Sequence, residues 1–321
     1  MNLIKPQALQ RGDNVALLCP SGRPANPSQL LQGKCTLEEL GFRVLVGKHA
    51  LNRYGDFAGT DEERLADFHE AWANPEVKAL IACRGGNGAI RLLPRIDYDL
   101  IRNNPKLFMG ASDITGFHLA IHKKTGLVTL HGTGAEFMKA TRYTYEIHKR
   151  ALTSRLPLGE ILDPVAESPY PPPSPPCRMV ISEGRASGPL IGGNLTLIAQ
   201  TMGTPYEIDT KDAILFLEDV QEEPHILDSM LTQLSLAGKF RAAAGIMVGA
   251  VVDGEPQGAF LTNFSFEELL QQHLGDLGIP VIYGLRLGHT KDKCVLPIGV
   301  QATFEAMGEE VRVMIEEAAC Q

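Results

Sequence analysis

Short apolar runs and amphipathic segments alternate along the first ~150 residues of the chain. Apolar runs rich in strand-forming residues lie at 14–19, 42–46, 77–82, 107–109 and 127–130. Segments with helical spacing or helix-start signals lie at 27–40, from 61 onward, after 88 and at 113–124. Because the apolar runs have no polar face, we expect helices on both sides of the strands. The pattern predicts a doubly wound parallel α/β sheet.

The second half of the chain has a less regular pattern. It predicts helices at 194–202 and 224–237 and strands at 213–218, 244–251, 280–283, 300–304 and 310–314. The last strands are short and close together, which is typical of antiparallel neighbours. We therefore expect a mixed or largely antiparallel sheet in the C-terminal half, or a small barrel.

A proline-rich stretch at 163–177 separates the two patterns. It contains seven prolines, which exclude a helix or a central strand and favour extended polyproline geometry. We interpret it as a linker between an N-terminal domain at 1–162 and a C-terminal domain at 178–321. A proline-rich ligand for a partner module is the alternative, although no basic flank accompanies the prolines.

Composition and charge narrow the class of protein. The chain has 321 residues, 44% hydrophobic and 21% charged, with a net charge of -8. An acidic protein gains little from phosphate attraction, so we expect no nucleic-acid partner. No apolar run approaches the ~18 residues of a membrane span, and no signal peptide is evident. The six cysteines form no CxxC pair, so we expect no metal site and a cytoplasmic protein with reduced thiols.

Ser112 is the first candidate for chemistry. It lies between the apolar run 107–109 and an amphipathic helix, where a sharp turn can expose its hydroxyl beside the helix N-terminus. A serine at that junction is also typical of a helix N-cap, and the local sequence favours the N-cap. The full G-x-S-x-G elbow is absent, because Ile114 occupies its last position.

A glycine-rich turn at 84–88 follows the third predicted strand, and we expect it to open a helix. Its backbone amides could bind an anion, either a phosphate or the oxyanion of an acyl-transfer reaction. It matches neither a dinucleotide fingerprint nor a P-loop, so the sequence predicts no cofactor. A tight turn that only requires glycine is the alternative. Arg84 beside the turn favours a carboxylate ligand.

Acidic and histidine candidates follow in the second half. Glu218 ends an apolar strand and could orient a histidine, or it could belong to a solvent-facing acidic cluster. His289 lies in a polar loop after a strand, a position common for catalytic bases and for surface residues alike. His225 is the rival base. His118 and His122 have metal-ligand spacing on one helix but no third ligand, and we interpret them as structural.

In combination, these features resemble a known family, the LD-carboxypeptidases. These serine peptidases comprise the muramoyltetrapeptide carboxypeptidases and their microcin-immunity relatives. The resemblance covers about residues 12–315. The motifs that carry it are VALLCPSG at 15–22, AGTDEERLADF at 58–68, ALIACRGGNG at 79–88, GASD at 110–113, GGNL at 192–195, LED at 217–219, LTQL at 231–234 and GH at 288–289.

The resemblance implies the fold and the residue roles. It implies a Rossmann-like N-terminal domain that carries Ser112 as nucleophile, and a C-terminal domain that carries Glu218 and His289. The backbone amides of Asp113 and Gly86 would form the oxyanion hole. Many relatives have an aromatic residue, often tyrosine, where this chain has His225, which puts the rim of the site in question.

The implied reaction removes the terminal D-alanine from a murein tetrapeptide during peptidoglycan recycling, without a metal or a cofactor, in a protein expected to be a homodimer. Arg84 and Gly85 are our candidates for binding the substrate carboxylate. The alternatives are a self-immunity hydrolase of acylated nucleotides and a non-catalytic binding module. The single tryptophan, Trp72, lies in a predicted helix and is not expected to stack on a base.

Overall fold

The computed structural model describes residues 2–164, 178–252, 254 and 264–321. The proline-rich stretch therefore lies outside the described residues, except for positions 163 and 164. The first half contains β1 (Asn14–Leu18), α1 (Pro27–Glu39), β2 (Arg43–Val46), α2 (Asp61–Ala73), β3 (Val77–Ala82), α3 (Tyr98–Asn103), β4 (Leu107–Gly110), α4 (Thr115–Thr125), β5 (Leu130–His131) and α5 (Arg142–Thr153). The second half contains β6 (Gly159–Glu160), β7 (Met179–Ser182), β8 (Gly184–Asn194), α6 (Leu195–Thr201), β9 (Ile214–Val220), α7 (Pro224–Leu236), α8 (Lys239–Ala242), β10 (Gly245–Val252), α9 (Phe266–Leu274), β11 (Val281–Leu285), β12 (Leu296–Pro297), β13 (Gln301–Met307) and β14 (Glu310–Ile315).

The first sheet has the strand order β2-β1-β3-β4-β5-β12. Strands β1 to β5 are parallel to their neighbours, whereas β12 pairs antiparallel with β5. Successive residues of β1 face opposite sides: Leu17 joins the core under α1, and Leu18 joins the core under α2. Helices therefore cover both faces, which confirms the predicted parallel α/β fold.

Local sequence signals explain where the helices begin. Thr60 accepts a hydrogen bond from the backbone of Glu63, whose side chain bonds back to the amide of Thr60, and this capping box starts α2. Asn26 and Gln29 form the equivalent capping box of α1. Both helices begin where the sequence predicts them.

An aromatic cluster fills one side of the first sheet. Phe68 and Trp72 of α2 pack against Phe108 of β4 and Phe117 of α4, with ring centroids 5.2–6.0 Å apart. Trp72 is fully buried, and its indole nitrogen donates to the carbonyl of Asn104. The tryptophan is therefore part of the core, as expected from its place in a helix.

The second sheet is mixed, with the order β6-β14-β13-β8-β9-β10-β11-β7. The central strands β8 to β11 are parallel, and the outer strands pair antiparallel. The described strands end in β6 on one edge and β7 on the other, so this sheet is open. The expectation of a mixed sheet is confirmed, and the described strands do not close into a hydrogen-bonded barrel. Within the described residues no helix has the length and apolar character needed to cross a bilayer.

Candidate active site

Ser112 occupies a strained turn at the carboxyl end of β4. Its backbone φ is 61°, a left-handed conformation that side chains other than glycine rarely adopt. A short 3₁₀ turn at Ser112–Ile114 follows, and α4 begins at Thr115. Neither the turn nor α4 has a side-chain cap hydrogen bond, so the N-cap interpretation of Ser112 is wrong. The strain holds the partly exposed serine at a sharp strand-to-helix turn.

The glycine turn after β3 packs directly on Ser112. A Cβ atom at position 85 would lie 2.8 Å from the Cβ of Ser112 and 3.1 Å from its Oγ, so only glycine fits. Gly86 has a φ of 125°, and a Cβ there would lie 2.7 Å from the Cα of Gly22. The predicted helix after Gly88 is wrong, because only a 3₁₀ turn at Leu93–Arg95 precedes α3. The backbone of this turn is therefore held against the serine by two close approaches.

Asp113 fastens the glycine turn to the serine turn. Its buried Oδ2 accepts hydrogen bonds from the amide of Ala89, at 2.8 Å, and from the hydroxyl of Ser21. Burial raises the pKa of Asp113, although these two hydrogen bonds act in the opposite direction. The residue after Ser112 thus anchors both the turn at 85–88 and the turn at 20–22 around the serine.

Glu218 and His289 form a buried carboxylate–imidazole pair. His289 Nδ1 lies 2.9 Å from Glu218 Oε2, and Glu218 is only 1% exposed. Burial acts to raise the pKa of Glu218, but the neighbouring imidazole and its hydrogen bond bring that pKa below its usual value. Gly288 permits this approach, because a Cβ there would lie 2.5 Å from Glu218 Oε2. The alternative of a solvent-facing Glu218 is therefore wrong.

The two sheets meet beside Ser112. Asn194, the last residue of β8, pairs in register with Glu218 of β9. Its backbone N–H donates to Oγ1 of Thr115 at 3.0 Å, and Thr115 lies in the first turn of α4. His131 of β5 lies opposite Gly110 of β4, and its ring packs 5.4 Å from the ring of Phe216 in β9. The structure thus brings the serine turn and the Glu218–His289 pair to the same junction.

Three further charged residues surround the glycine turn. Arg84 Nε lies 3.8 Å from Oε1 of Glu136, which is almost fully buried. Burial raises the pKa of Glu136, whereas Arg84 and Lys293 act to lower it. Lys293 Nζ lies 3.4 Å from Thr133 Oγ1 and 4.9 Å from the centroid of the Phe137 ring. Two cations and one carboxylate therefore lie together at this end of the first sheet.

The remaining histidine candidates lie elsewhere. The side chain of His225 is 62% exposed on α7, and its Nδ1 lies 3.7 Å from Glu223. The ring nitrogens of His118 lie 2.9 Å from Thr129 Oγ1 and 3.0 Å from the carbonyl of Gly110. His122 Nδ1 lies 3.3 Å from the carbonyl of Leu127. The ring nitrogens of His118 and His122 therefore contact neighbouring parts of the chain, which agrees with a structural role.

Sequence reasoning missed several residues of this site. Thr115, His131, Glu136 and Lys293 have no distinctive local sequence, and only the folded chain reveals their contacts. Asn194 belongs to the GGNL motif, yet nothing in that motif indicates a bond to α4.

Known proteins match this chain over most of its length. Residues 15–132 match the family described as the LD-carboxypeptidase N-terminal domain, and residues 187–304 match the LD-carboxypeptidase C-terminal domain. A probable murein peptide carboxypeptidase from Bacillus subtilis is 39% identical over 300 residues, covering 94% of this chain and 91% of the relative.

Solved structures show the same likeness. An MccF-like protein from Bacillus anthracis has a TM-score of 0.86 at 29% identity, covering 98% of this chain and 99% of that one. A muramoyltetrapeptide carboxypeptidase from Oxalobacter formigenes has a TM-score of 0.79 at 29% identity, covering 95% and 99%. The chain therefore belongs to the LD-carboxypeptidase family of serine peptidases.

Proposed function

We propose that this protein is a carboxypeptidase that removes the terminal D-alanine from a murein tetrapeptide, at the bond between an L-centre and D-alanine. One observation supports this proposal most: the buried carboxylate of Glu218 lies 2.9 Å from Nδ1 of His289, and Asn194, the register partner of Glu218, bonds to the first turn of the helix that follows Ser112. The names of the Bacillus subtilis and Oxalobacter formigenes relatives point to the same class of substrate.

Ser112 is the proposed nucleophile and His289 its general base. When Glu218 accepts a hydrogen bond from Nδ1–H, the neutral imidazole carries its free lone pair on Nε2. That nitrogen can take the proton of the Ser112 hydroxyl and later return it to the leaving amine. Glu218 fixes the ring and stabilises the imidazolium that forms in between.

The amides of Gly86 and Asp113 are the proposed oxyanion hole. Asp113 follows the nucleophile at the start of a helical turn, where backbone N–H groups have no intrahelical partner. The second amide is proposed from the same glycine turn because Gly85, the residue before Gly86, packs directly on Ser112. Fixed donors of this kind stabilise the tetrahedral intermediate without reorganising during the reaction.

The proposed reaction proceeds in two acyl transfers. Ser112 Oγ attacks the scissile carbonyl, the peptide C–N bond breaks, and D-alanine leaves with a proton from His289. Water, deprotonated by His289, then hydrolyses the acyl-enzyme and frees Ser112. Arg84 and Gly85 are proposed to bind the terminal carboxylate, since the Arg84 guanidinium borders the glycine turn and is partly exposed.

The cellular setting and assembly are further parts of the proposal. We expect the protein to act in the cytoplasm, in peptidoglycan recycling, as a homodimer with two domains and a Rossmann-like first domain. Support for two domains comes from the two family matches, which end at 132 and resume at 187, on either side of the proline-rich stretch. The resemblance to the family supports the recycling role, the homodimer and the Rossmann-like first domain, and the scattered cysteines support the cytoplasm.

A hydrolase of acylated nucleotides remains the second candidate, because an MccF-like protein has the same fold. Base recognition by stacking needs an accessible aromatic side chain. The single tryptophan, Trp72, is fully buried in the aromatic cluster of the first sheet. Trp72 therefore cannot stack on a base, but Tyr54 and Phe137 are exposed, so the peptidase is favoured by the names of the relatives and not by a lack of aromatic side chains.

One assay tests the proposal. Purified protein is incubated with murein tetrapeptide, with and without EDTA, and free D-alanine is measured. We expect release that is insensitive to EDTA and that the variant Ser112→Ala loses. No release by the wild-type protein, or equal release by Ser112→Ala, would refute the proposed function.

A further inference from the structure

The segment 286–295, here called the base loop, carries His289 without regular secondary structure. It leaves the second sheet after β11 and enters the first sheet as β12. Inside the loop, the amide of Cys294 donates to the carbonyl of Arg286 at 2.7 Å. The hydrogen bond to Glu218 holds one atom of the His289 ring, and the backbone of the loop depends on other contacts for its position.

Thr144 provides that support from the first half of the chain. Its hydroxyl donates to the carbonyl of Lys291 at 3.0 Å and accepts a hydrogen bond from the amide of Lys293 at 2.9 Å. It also accepts from the hydroxyl of Thr141, the N-cap of α5, at 3.0 Å. One donor and two acceptor positions are thereby all used. Thr144 is fully buried, so water does not compete for these bonds.

The side chain of Lys293 makes a second attachment to the first half. Its ammonium contacts Thr133 Oγ1 and lies over the ring of Phe137. Burial lowers the pKa of Lys293, while Glu218 and Glu136 act to raise it. The base loop is thus held to the first half in two ways. Thr144 bonds to the backbone of Lys291 and Lys293, and the buried ammonium of Lys293 contacts Thr133.

We propose that Thr144 is a positioning residue for the general base: it clamps the base loop so that His289 faces Ser112. The inference rests on the proposed function of His289. Proton transfer to a base requires hydrogen-bond geometry, and a displacement of about 1 Å can cost about 100-fold in rate. Loss of the Thr144 hydroxyl releases the two backbone bonds that it makes to Lys291 and Lys293, while the side chains of Ser112, Glu218 and His289 themselves are unchanged.

The test compares Thr144→Val, which removes the hydroxyl, with Thr144→Ser, which keeps it. We expect Thr144→Val to lower kcat for D-alanine release by about 10- to 100-fold, with KM changed less than about twofold. Thr144→Ser should stay within about threefold of the wild type. Thr153→Val is the control on the same helix, because among the described residues the Thr153 hydroxyl bonds within α5, to the carbonyl of Lys149. It should retain wild-type kcat.

A double variant separates positioning from a general structural effect. In the His289→Ala background, Thr144→Val should cause no further loss, because a clamp on the base has no effect once the base is gone. Additive losses would overturn the proposal, as would a Thr144→Val protein with wild-type kcat. Thr144→Ala is a second hydroxyl-free variant should the valine protein fail to fold.

A measurement without the peptide substrate tests the Thr144 clamp separately from the proposed carboxypeptidase activity. A fluorophosphonate reagent reacts with an activated serine hydroxyl, so its labelling rate reports how well His289 activates Ser112. We expect Thr144→Val to slow labelling and Thr144→Ser to restore it. If the wild type is labelled but releases no D-alanine, the proposed substrate fails while the clamp is still tested. Equal labelling of Thr144→Val and wild type would contradict the clamp.

Discussion

Asn194 and Thr115 join the two sheets at the candidate site: the backbone N–H of Asn194 donates to Thr115 Oγ1 at 3.0 Å. Asn194 is the register partner of Glu218, and Thr115 lies three residues after Ser112. The side chain of Asn194 also donates to Asp219, which follows Glu218 in β9. One residue therefore connects the strand of the proposed orienting acid to the turn of the proposed nucleophile.

Replacing His289 should abolish activity, whereas replacing His225 should not. We expect His289→Ala to lower kcat for D-alanine release by about 10⁴-fold or more, because the serine loses its base. His225→Ala should remain within about twofold of the wild type, since His225 lies exposed on α7. Steady-state kinetics of the two variants measure both effects. If His225→Ala were the inactive protein, the base assignment would move to His225.

Arg84 should govern recognition of the terminal carboxylate. We expect Arg84→Met to raise KM for the tetrapeptide by about 10- to 100-fold, the size of a charge-assisted hydrogen bond. The same peptide with a C-terminal carboxamide should bind both proteins about equally weakly. Glu136→Gln should cause a smaller rise, because Arg84 keeps its place but loses its neighbouring carboxylate at 3.8 Å. A similar loss on both peptides would mean that Arg84 does not contact the carboxylate.

Gly192→Ala should strongly destabilise the fold. A Cβ at position 192 would lie 1.9 Å from the carbonyl oxygen of Phe216 in the neighbouring strand, and its φ is 152°. We expect a loss of at least about 3 kcal/mol in the free energy of unfolding, measured by urea denaturation.

The matched control is Gly203→Ala, where φ is 75° but no atom lies within 4 Å of the added Cβ. It should cost about 1 kcal/mol, the strain of a left-handed alanine alone. Equal losses in the two variants would show that strand contact at Gly192 is unimportant.

The free energy of unfolding should fall as the pH drops below 6.5. Burial lowers the pKa of His118 to about 3 and that of His131 and His148 to about 4. Between those values and 6.5, the unfolded chain binds protons that the folded chain does not, so acid favours unfolding. Each histidine contributes up to about 1.4 kcal/mol per pH unit in that window.

Asp219 acts in the opposite direction, because burial raises its pKa to about 6 in the folded protein and its proton stabilises the fold as the pH falls. The raised pKa of Asp113 and that of Glu136 act in the same direction as Asp219, whereas the lowered pKa of His69 and that of His122 add to the effect of the other three histidines. With five histidines against three carboxyls, the net slope should remain destabilising towards acid. Urea denaturation between about pH 7 and 5 measures the slope. His118→Gln should make it shallower and the exposed His225→Gln should not. A pH-independent stability would contradict this account.

The sequence predicts the first sheet well, because buried parallel strands and capped helices leave local signals. β1, β3 and β4 are mostly apolar, with Asn14 and Lys78 as the polar exceptions, and α1 and α2 begin at capping boxes. It fails for β8, whose eleven residues include four glycines, a composition that weakens any strand signal. The predicted helix after Gly88 fails for a related reason: in the turn before it, Gly86 lies against the backbone of Gly22 and Gly88 against the ring of Phe57.

For the candidate site, too, only the features that leave a local sequence signal are predictable. Ser112, Glu218 and His289 come from the sequence pattern and the family resemblance together, since each is ambiguous alone. The strain at Ser112 and the burial of Glu218 appear only in the structure, because they depend on packing between the sheets. Thr144 and Lys293 act through bonds to residues about 150 positions away, and local sequence carries no signal of such bonds.

The return of β12 to the first sheet affects how the protein must be made. His131 pairs with Leu296, so the edge of β5 stays open until most of the chain has left the ribosome. An open strand edge is a template for pairing with other chains. Truncation before Leu296 should therefore yield an aggregation-prone fragment rather than a folded first half, and full-length synthesis protects both the edge and the placement of His289.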